Sequence, residues 1–156
     1  MTLFERIFGA RKPAPSTGRN FTRADLQLSV GISGYFSDDL YAEVSSAWLK
    51  SFYDDYRKAL FNQGVTKWEP TFDCDNFATF YVALANVRFF SATFQSFTSA
   101  QSLALAEFWY YPGAGGSAHA IVTAVTERGQ IFIEPQSGQE LQLTADERAS
   151  CLLLKF

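Results

Sequence analysis

The stretch FDCDNFATFYVALANVRFF, Phe72 to Phe90, decides how the rest of the chain is read. Pro70 keeps a helix from entering from upstream, Asp73 suits an amino-terminal cap, and Phe77, Phe80, Tyr81, Leu84 and Val87 recur at helical spacing. The spacing predicts an amphipathic helix with Cys74 in its first turn. Upstream, Ser37 is a candidate cap, and Leu40, Tyr41, Val44, Trp48, Phe52, Tyr56 and Leu60 predict a long helix that ends before Gly64. Thr22 with Asp25 three residues on marks another helix start, and Gly31 and Gly34 bring that helix to an end.

Downstream of the Ser- and Thr-rich residues 91–102 the period changes from helical to extended. Strands are predicted at 106–111, 118–126, 130–134, 140–143 and 151–156, with turns at 112–116, 127–129 and 137–138. Thr144 and Glu147 form a capping-box pattern for a short helix before the last strand. The expected fold class is therefore α+β, a helical half followed by and packed on an antiparallel β-sheet. Leu3, Phe4, Ile7 and Phe8 predict a short helical arm, and Pro13, Pro15 and Gly18 a linker. The chain divides into an arm and linker over 1–18 and one domain over 19–156.

Of the 156 residues, 47% are hydrophobic, 17% aromatic and 19% charged, which excludes a disordered chain and implies a packed core. A net charge of -3 argues against a nucleic-acid partner, whose phosphates call for a basic surface. No window is long and apolar enough for a membrane span, and MTLFERIFGARK lacks the pattern of a signal peptide. The expected location is the cytoplasm, that of the host cell if the gene is a phage's, with Cys74 and Cys151 as free thiols.

His119 is the sole histidine, so any chemistry that needs imidazole uses it, and zinc sites built on several histidines are excluded. A thiol acts as a nucleophile only as thiolate, a form favoured by the unpaired N–H groups of a helix start, where Cys74 falls. The same N–H groups can receive an oxyanion. His119 comes 45 residues later on a predicted strand, behind the loop of Gly113, Gly115, Gly116 and Ser117. A hairpin turn over Thr126 to Gly129 places Gln136 directly opposite His119 and Glu134 diagonally on the same face. Either side chain can reach; Glu134 is preferred because a carboxylate stabilises imidazolium better than an amide. Against an activated thiol, Asp73 and Asp75 place negative charge on both sides of Cys74. These two acids also suit a divalent ion, although their spacing matches no EF-hand and helix capping accounts for at least one.

FDCDNFA (Phe72 to Ala78), GGSAHA (Gly115 to Ala120) and IEPQSG (Ile133 to Gly138) together resemble the papain-like cysteine-protease domain of the mushroom agglutinin family and its stand-alone phage and bacterial relatives. The resemblance covers roughly residues 21 to 143. It implies a papain-like fold, a triad of Cys74, His119 and Glu134, and a calcium dependence through acidic positions such as Asp73 and Asp75. The lectin half of the agglutinin is absent, so sugar binding is not expected to carry over. The expected function is a cysteine hydrolase that cleaves amide bonds of a peptide or protein substrate through an acyl-thioester. The alternatives are a peptidoglycan amidase or endopeptidase and, in a different class, a catalytically silent accessory protein that binds a host factor.

Overall fold

In the computed structural model, residues 13–94, 99–113 and 116–156 are described. The expected arm at residues 2 to 8 lies outside them. Eight strands form one mixed sheet: β1 (Ser16–Thr22), β2 (Leu40–Val44), β3 (Ser102–Leu103), β4 (Leu105–Tyr110), β5 (His119–Thr126), β6 (Gly129–Ile133), β7 (Glu140–Leu141) and β8 (Leu153–Lys155). The main path runs β1-β2-β5-β4-β8, with β3 beside β2, β6 beside β5 and β7 beside β6. Among the described residues, four helices accompany it: α1 (Arg23–Val30), α2 (Ser46–Asn62), α3 (Cys74–Thr93) and α4 (Ala145–Ala149).

The expected papain-like arrangement, a helical half facing a purely antiparallel sheet, is corrected here. The first part of the chain is not purely helical, because β1 and β2 belong to the same sheet as the later strands. Nor is the sheet purely antiparallel: β2 pairs in parallel with both β3 and β5, Val44 facing Thr126. Leu40 to Val44, expected to open the long helix, is a strand. Its Tyr41, Ala42 and Val44 are buried because they pair with Phe21, Asn20 and Ser16 of β1, and tertiary pairing overrides the helical spacing. The cap moves accordingly from Ser37 to Ser45, whose hydroxyl accepts from the Trp48 N–H at 3.3 Å. β1 begins at Ser16, inside the stretch read as linker.

The other helix starts obey the local chemistry of the sequence. Thr22 accepts from the Asp25 N–H and caps α1, which ends on Gly31 in the left-handed conformation with φ 66°. Thr144 and Glu147 cap α4 reciprocally. In α3, the Asn76 side chain accepts from the Asp73 N–H at 3.2 Å.

The sheet separates two apolar cores. On one face α2 and α3 bury Phe52, Tyr56, Phe77 and Tyr81 against Ala120, Val122 and Ala124 of β5 and Ile131 and Ile133 of β6. Ala78 and Ala85, fully buried on α3, let its backbone approach the sheet. The helix is thereby rotated from the expected stripe, and Val87 faces outward at 54% exposure. On the other face Phe21 and Leu26 of the β1–α1 segment, Leu154 of the last strand and Phe156 just after it cover Phe108, Ile121 and Phe132.

The carboxyl-terminal strand is locked against the segment after α1. The Tyr35 N–H donates to the Leu154 carbonyl at 2.7 Å and the Phe156 N–H to the Tyr35 carbonyl at 2.9 Å. A Cβ on Gly34 would sit 2.8 Å from the Leu154 carbonyl oxygen and 2.9 Å from its Cγ. Gly34→Ala is therefore expected to destabilise the fold by about 1–3 kcal/mol, as overpacking does. The urea-unfolding midpoint checks this; an unchanged midpoint would show that the last strand yields freely.

Candidate functional site

The site is built on the β5–β6 hairpin. Thr126 faces Gly129 and Val122 faces Ile133, a register that, continued past the strand end, sets Gln136 opposite His119 and Glu134 on the diagonal. The side chains meet across that diagonal: His119 Nε2 and Glu134 Oε2 are 2.8 Å apart. Both are largely covered, with side-chain exposures of 26% and 19%. A carboxylate only accepts, so Nε2 carries the proton and donates, and in the neutral ring Nδ1 is then an acceptor.

Glu134 is held from several sides. Its Oε1 accepts from the Gln136 N–H at 3.1 Å. Its carbonyl accepts from the Gly138 N–H at 2.7 Å, and its N–H donates to the Gln139 carbonyl at 2.9 Å. Gln136 thus takes part through its backbone. The Tyr110 ring lies 6.1 Å from the imidazole, centroid to centroid. Burial, then the negative charges of Glu147 and Glu134, push the Tyr110 hydroxyl above its usual range.

Cys74 opens α3 and packs, partly buried, against the core that α3 shares with the sheet. Near the far end of α3, the Asn86 side chain accepts from the Leu103 N–H at 3.0 Å, just before β4. The helix therefore runs along the sheet away from the edge where β4 ends and β5 begins, and its first turn lies toward that edge. Tyr56 of α2 donates to the Phe77 carbonyl at 3.0 Å in the first turns of α3, and Tyr53, one turn earlier, donates to the Gln136 carbonyl at 2.9 Å. Cys74 and the His119–Glu134 pair thus occupy the same end of the molecule. The structure joins His119, Glu134 and the Gln136 backbone by hydrogen bonds; among the described residues none joins the Cys74 sulfur to the imidazole. Cys151 is also a free thiol, packed against the second core, and burial raises its pKa.

Asp73 and Asp75 flank Cys74, and a hydrogen bond between their side chains, then burial, then the Asp75 charge, raise the pKa of Asp73. The Asp73 Oδ1 is shielded from solvent without a partner. Calcium takes six to eight oxygen ligands. Among the described residues no three His, Cys, Asp or Glu side chains group to hold a metal. Of the aromatics near this end, Trp109 is partly buried with its Nε1 3.4 Å from the Glu107 carboxylate, and Trp68 is 51% exposed. Tyr53 carries no mark in the sequence pattern: it stands three residues from Tyr56 at the flank of the apolar stripe, and only its hydroxyl contact shows its place.

No family model and no curated protein matches the chain. Among solved structures, one described as "PSL1a-E64 complex" is similar at 22% identity with a TM-score of 0.62, over 88% of this chain and 51% of that one. Another, Polyporus squamosus lectin bound to the human-type influenza-binding epitope Neu5Aca2-6Galb1-4GlcNAc, is similar at 21% identity with a TM-score of 0.61, over 88% of this chain and 49% of that one. The chain spans about half the length of these neighbours and shares the fold of that part. The fold is thus one found in a mushroom lectin. This corrects the expectations of a papain-like thiol protease and of a peptide or protein substrate: of the two structures that share its fold one is described as a lectin, and neither is described as a hydrolase. No helix among the described residues is long and apolar enough to cross a membrane.

The raised Asp73 gives a test of the charge beside Cys74. A carboxyl that binds its proton more tightly when folded adds stability that is full below the ordinary value near 3.8 and is lost as pH rises through the folded value. Asp73→Asn keeps a donor toward Asp75 and does not titrate, so its stability relative to the wild type should rise as pH is raised through that window. Urea midpoints at about pH 4 and pH 7 decide it; parallel curves would show that the two carboxyls do not share a proton.

Proposed function

We propose that this chain is a binding module whose ligand is a carbohydrate, taken at the end of the sheet where His119 and Glu134 meet. The observation that carries the reading is the 2.8 Å pair itself, half-sheltered at a strand start and held by a turn bonded to Glu134 through three of its backbone and carboxylate atoms. Sugars present neighbouring hydroxyls, each a donor and an acceptor. Glu134 uses one site on each oxygen for His119 and Gln136 and keeps further lone pairs, and His119 Nδ1 is a second acceptor about one ring away. Preformed acceptors of this kind suit a pair of adjacent hydroxyls, and partly exposed aromatics such as Trp109 offer a surface for the C–H face of a sugar ring. The Polyporus squamosus lectin, bound to a sialylated trisaccharide, supports the ligand class. Of the functions expected from the sequence, this develops the silent accessory protein that binds a host factor, with the glycan as the recognised group.

The test is calorimetric titration with Neu5Acα2-6Galβ1-4GlcNAc, together with a glycan array. The expected result is a saturable signal that His119→Ala and Glu134→Ala each weaken by about tenfold, the loss of one or two buried polar contacts. Wild-type protein that binds no glycan at millimolar concentration, or that cuts a peptide in a manner abolished by Cys74→Ala, would overturn it.

A further inference from the structure

Tyr53 stands outside the His119–Glu134 pair and yet touches the turn that holds it from two directions. Its hydroxyl donates to the Gln136 carbonyl at 2.9 Å, and the Gln136 N–H in turn donates to Glu134 Oε1 at 3.1 Å. Its ring lies under Gly138, where a Cβ would come within 2.7 Å of the ring carbons. Gly138 has φ 73°, a left-handed conformation that glycine adopts without strain, and its N–H closes the turn on the Glu134 carbonyl. The missing side chain at 138 and the tyrosine at 53 are therefore matched: the ring sets the height of the turn and the hydroxyl sets the direction of the Gln136 peptide.

That peptide decides which way Glu134 points. With its N–H on Oε1, the carboxylate is turned so that Oε2 meets His119 Nε2. We infer that Tyr53 is a positioning residue, which through the Gln136 peptide aims Glu134 at His119 and so selects the imidazole form protonated at Nε2 and bare at Nδ1. Among the described residues, Glu134 from the end of β6 and the Tyr110 ring from β4 face the imidazole. Tyr53 and Gly138 bond to the turn and not to the imidazole, so their influence passes through the turn. The inference concerns the protonation pattern of the pair and stands whether the ligand is a sugar or another molecule.

Because His119 is the sole histidine, its two ring nitrogens give an unobscured nitrogen-15 NMR signature in the full chain. At a pH where the ring is neutral, the wild type should show the form protonated at Nε2 in large excess. Tyr53→Phe, which removes only the hydroxyl, should lower that excess by about two- to tenfold, the range expected for one neutral hydrogen bond. Gly138→Ala, which lifts the turn off the ring, should lower it too. Leu26→Ala, in the core on the opposite face of the sheet, supplies a variant destabilised without contact with the turn and should leave the signature unchanged. Wild-type ratios in a folded Tyr53→Phe, or an equal change in Leu26→Ala, would overturn the inference. If Tyr53→Phe does not fold, Gly138→Ala carries the same decision. Wild-type protein that binds no glycan, with the ratio still lowered in Tyr53→Phe, would instead count against the sugar reading alone.

Discussion

The structure depends on the burial of β5 from both sides. Ala120 to Thr126 are all buried; Ala120, Val122 and Ala124 meet α3 on one face, while Ile121 and Val125 meet the second core on the other. Such a strand reads as an unbroken apolar run rather than an alternating one. Every other part of the sheet is placed relative to it: β4 and β6 flank it along its length, and β2 joins it in parallel at Thr126. Its first residue, His119, is the point where full burial gives way to partial exposure. A polar group there is close enough to the core to be held still and close enough to solvent to meet a ligand.

The carboxylate partner results from the same constraint. Two-residue periodicity and a tight turn at Glu127–Arg128 leave little freedom in where residues 134 and 136 fall, and the direct opposite of His119 contributes its backbone rather than its side chain. The pair thus uses a diagonal, with the intervening peptide bonded to the acid. α2 contributes from behind through Tyr53 and Tyr56, two successive turns that tie the hairpin end and the start of α3 to one rigid helix. Desolvation pushes both tyrosine hydroxyls above their usual range, so they remain protonated donors.

Much of this was legible locally. The Thr22, Asp73 and Thr144 caps, the left-handed Gly31 and the hairpin register are written in neighbouring residues, and geometry over a few positions decides them. Leu40 to Val44 was not, because the same residues satisfy helical spacing and strand alternation, and only β1 and β5, each distant in sequence, choose between them. The parallel pairings escaped for the same reason: nothing in β2 announces that it will lie beside Thr126. Val87 was misplaced by reading bulk as burial, whereas the small Ala78 and Ala85 mark the face that approaches the sheet. The function inferred from short motifs met a fold that one solved example, described as a lectin, also has, since a cysteine at a helix start and a histidine on a strand set the stage for several chemistries.

The last three-residue strand has a bearing on how the chain comes to be folded. β8 pairs with the middle of β4, and Tyr35 clasps it by two backbone bonds across more than a hundred residues of sequence. Contacts of such separation close late and slowly, because a long loop must be tamed before they reward it. On the ribosome, β4 keeps an unsatisfied edge until Leu153–Lys155 emerge, and until then that edge is open to wrong pairing.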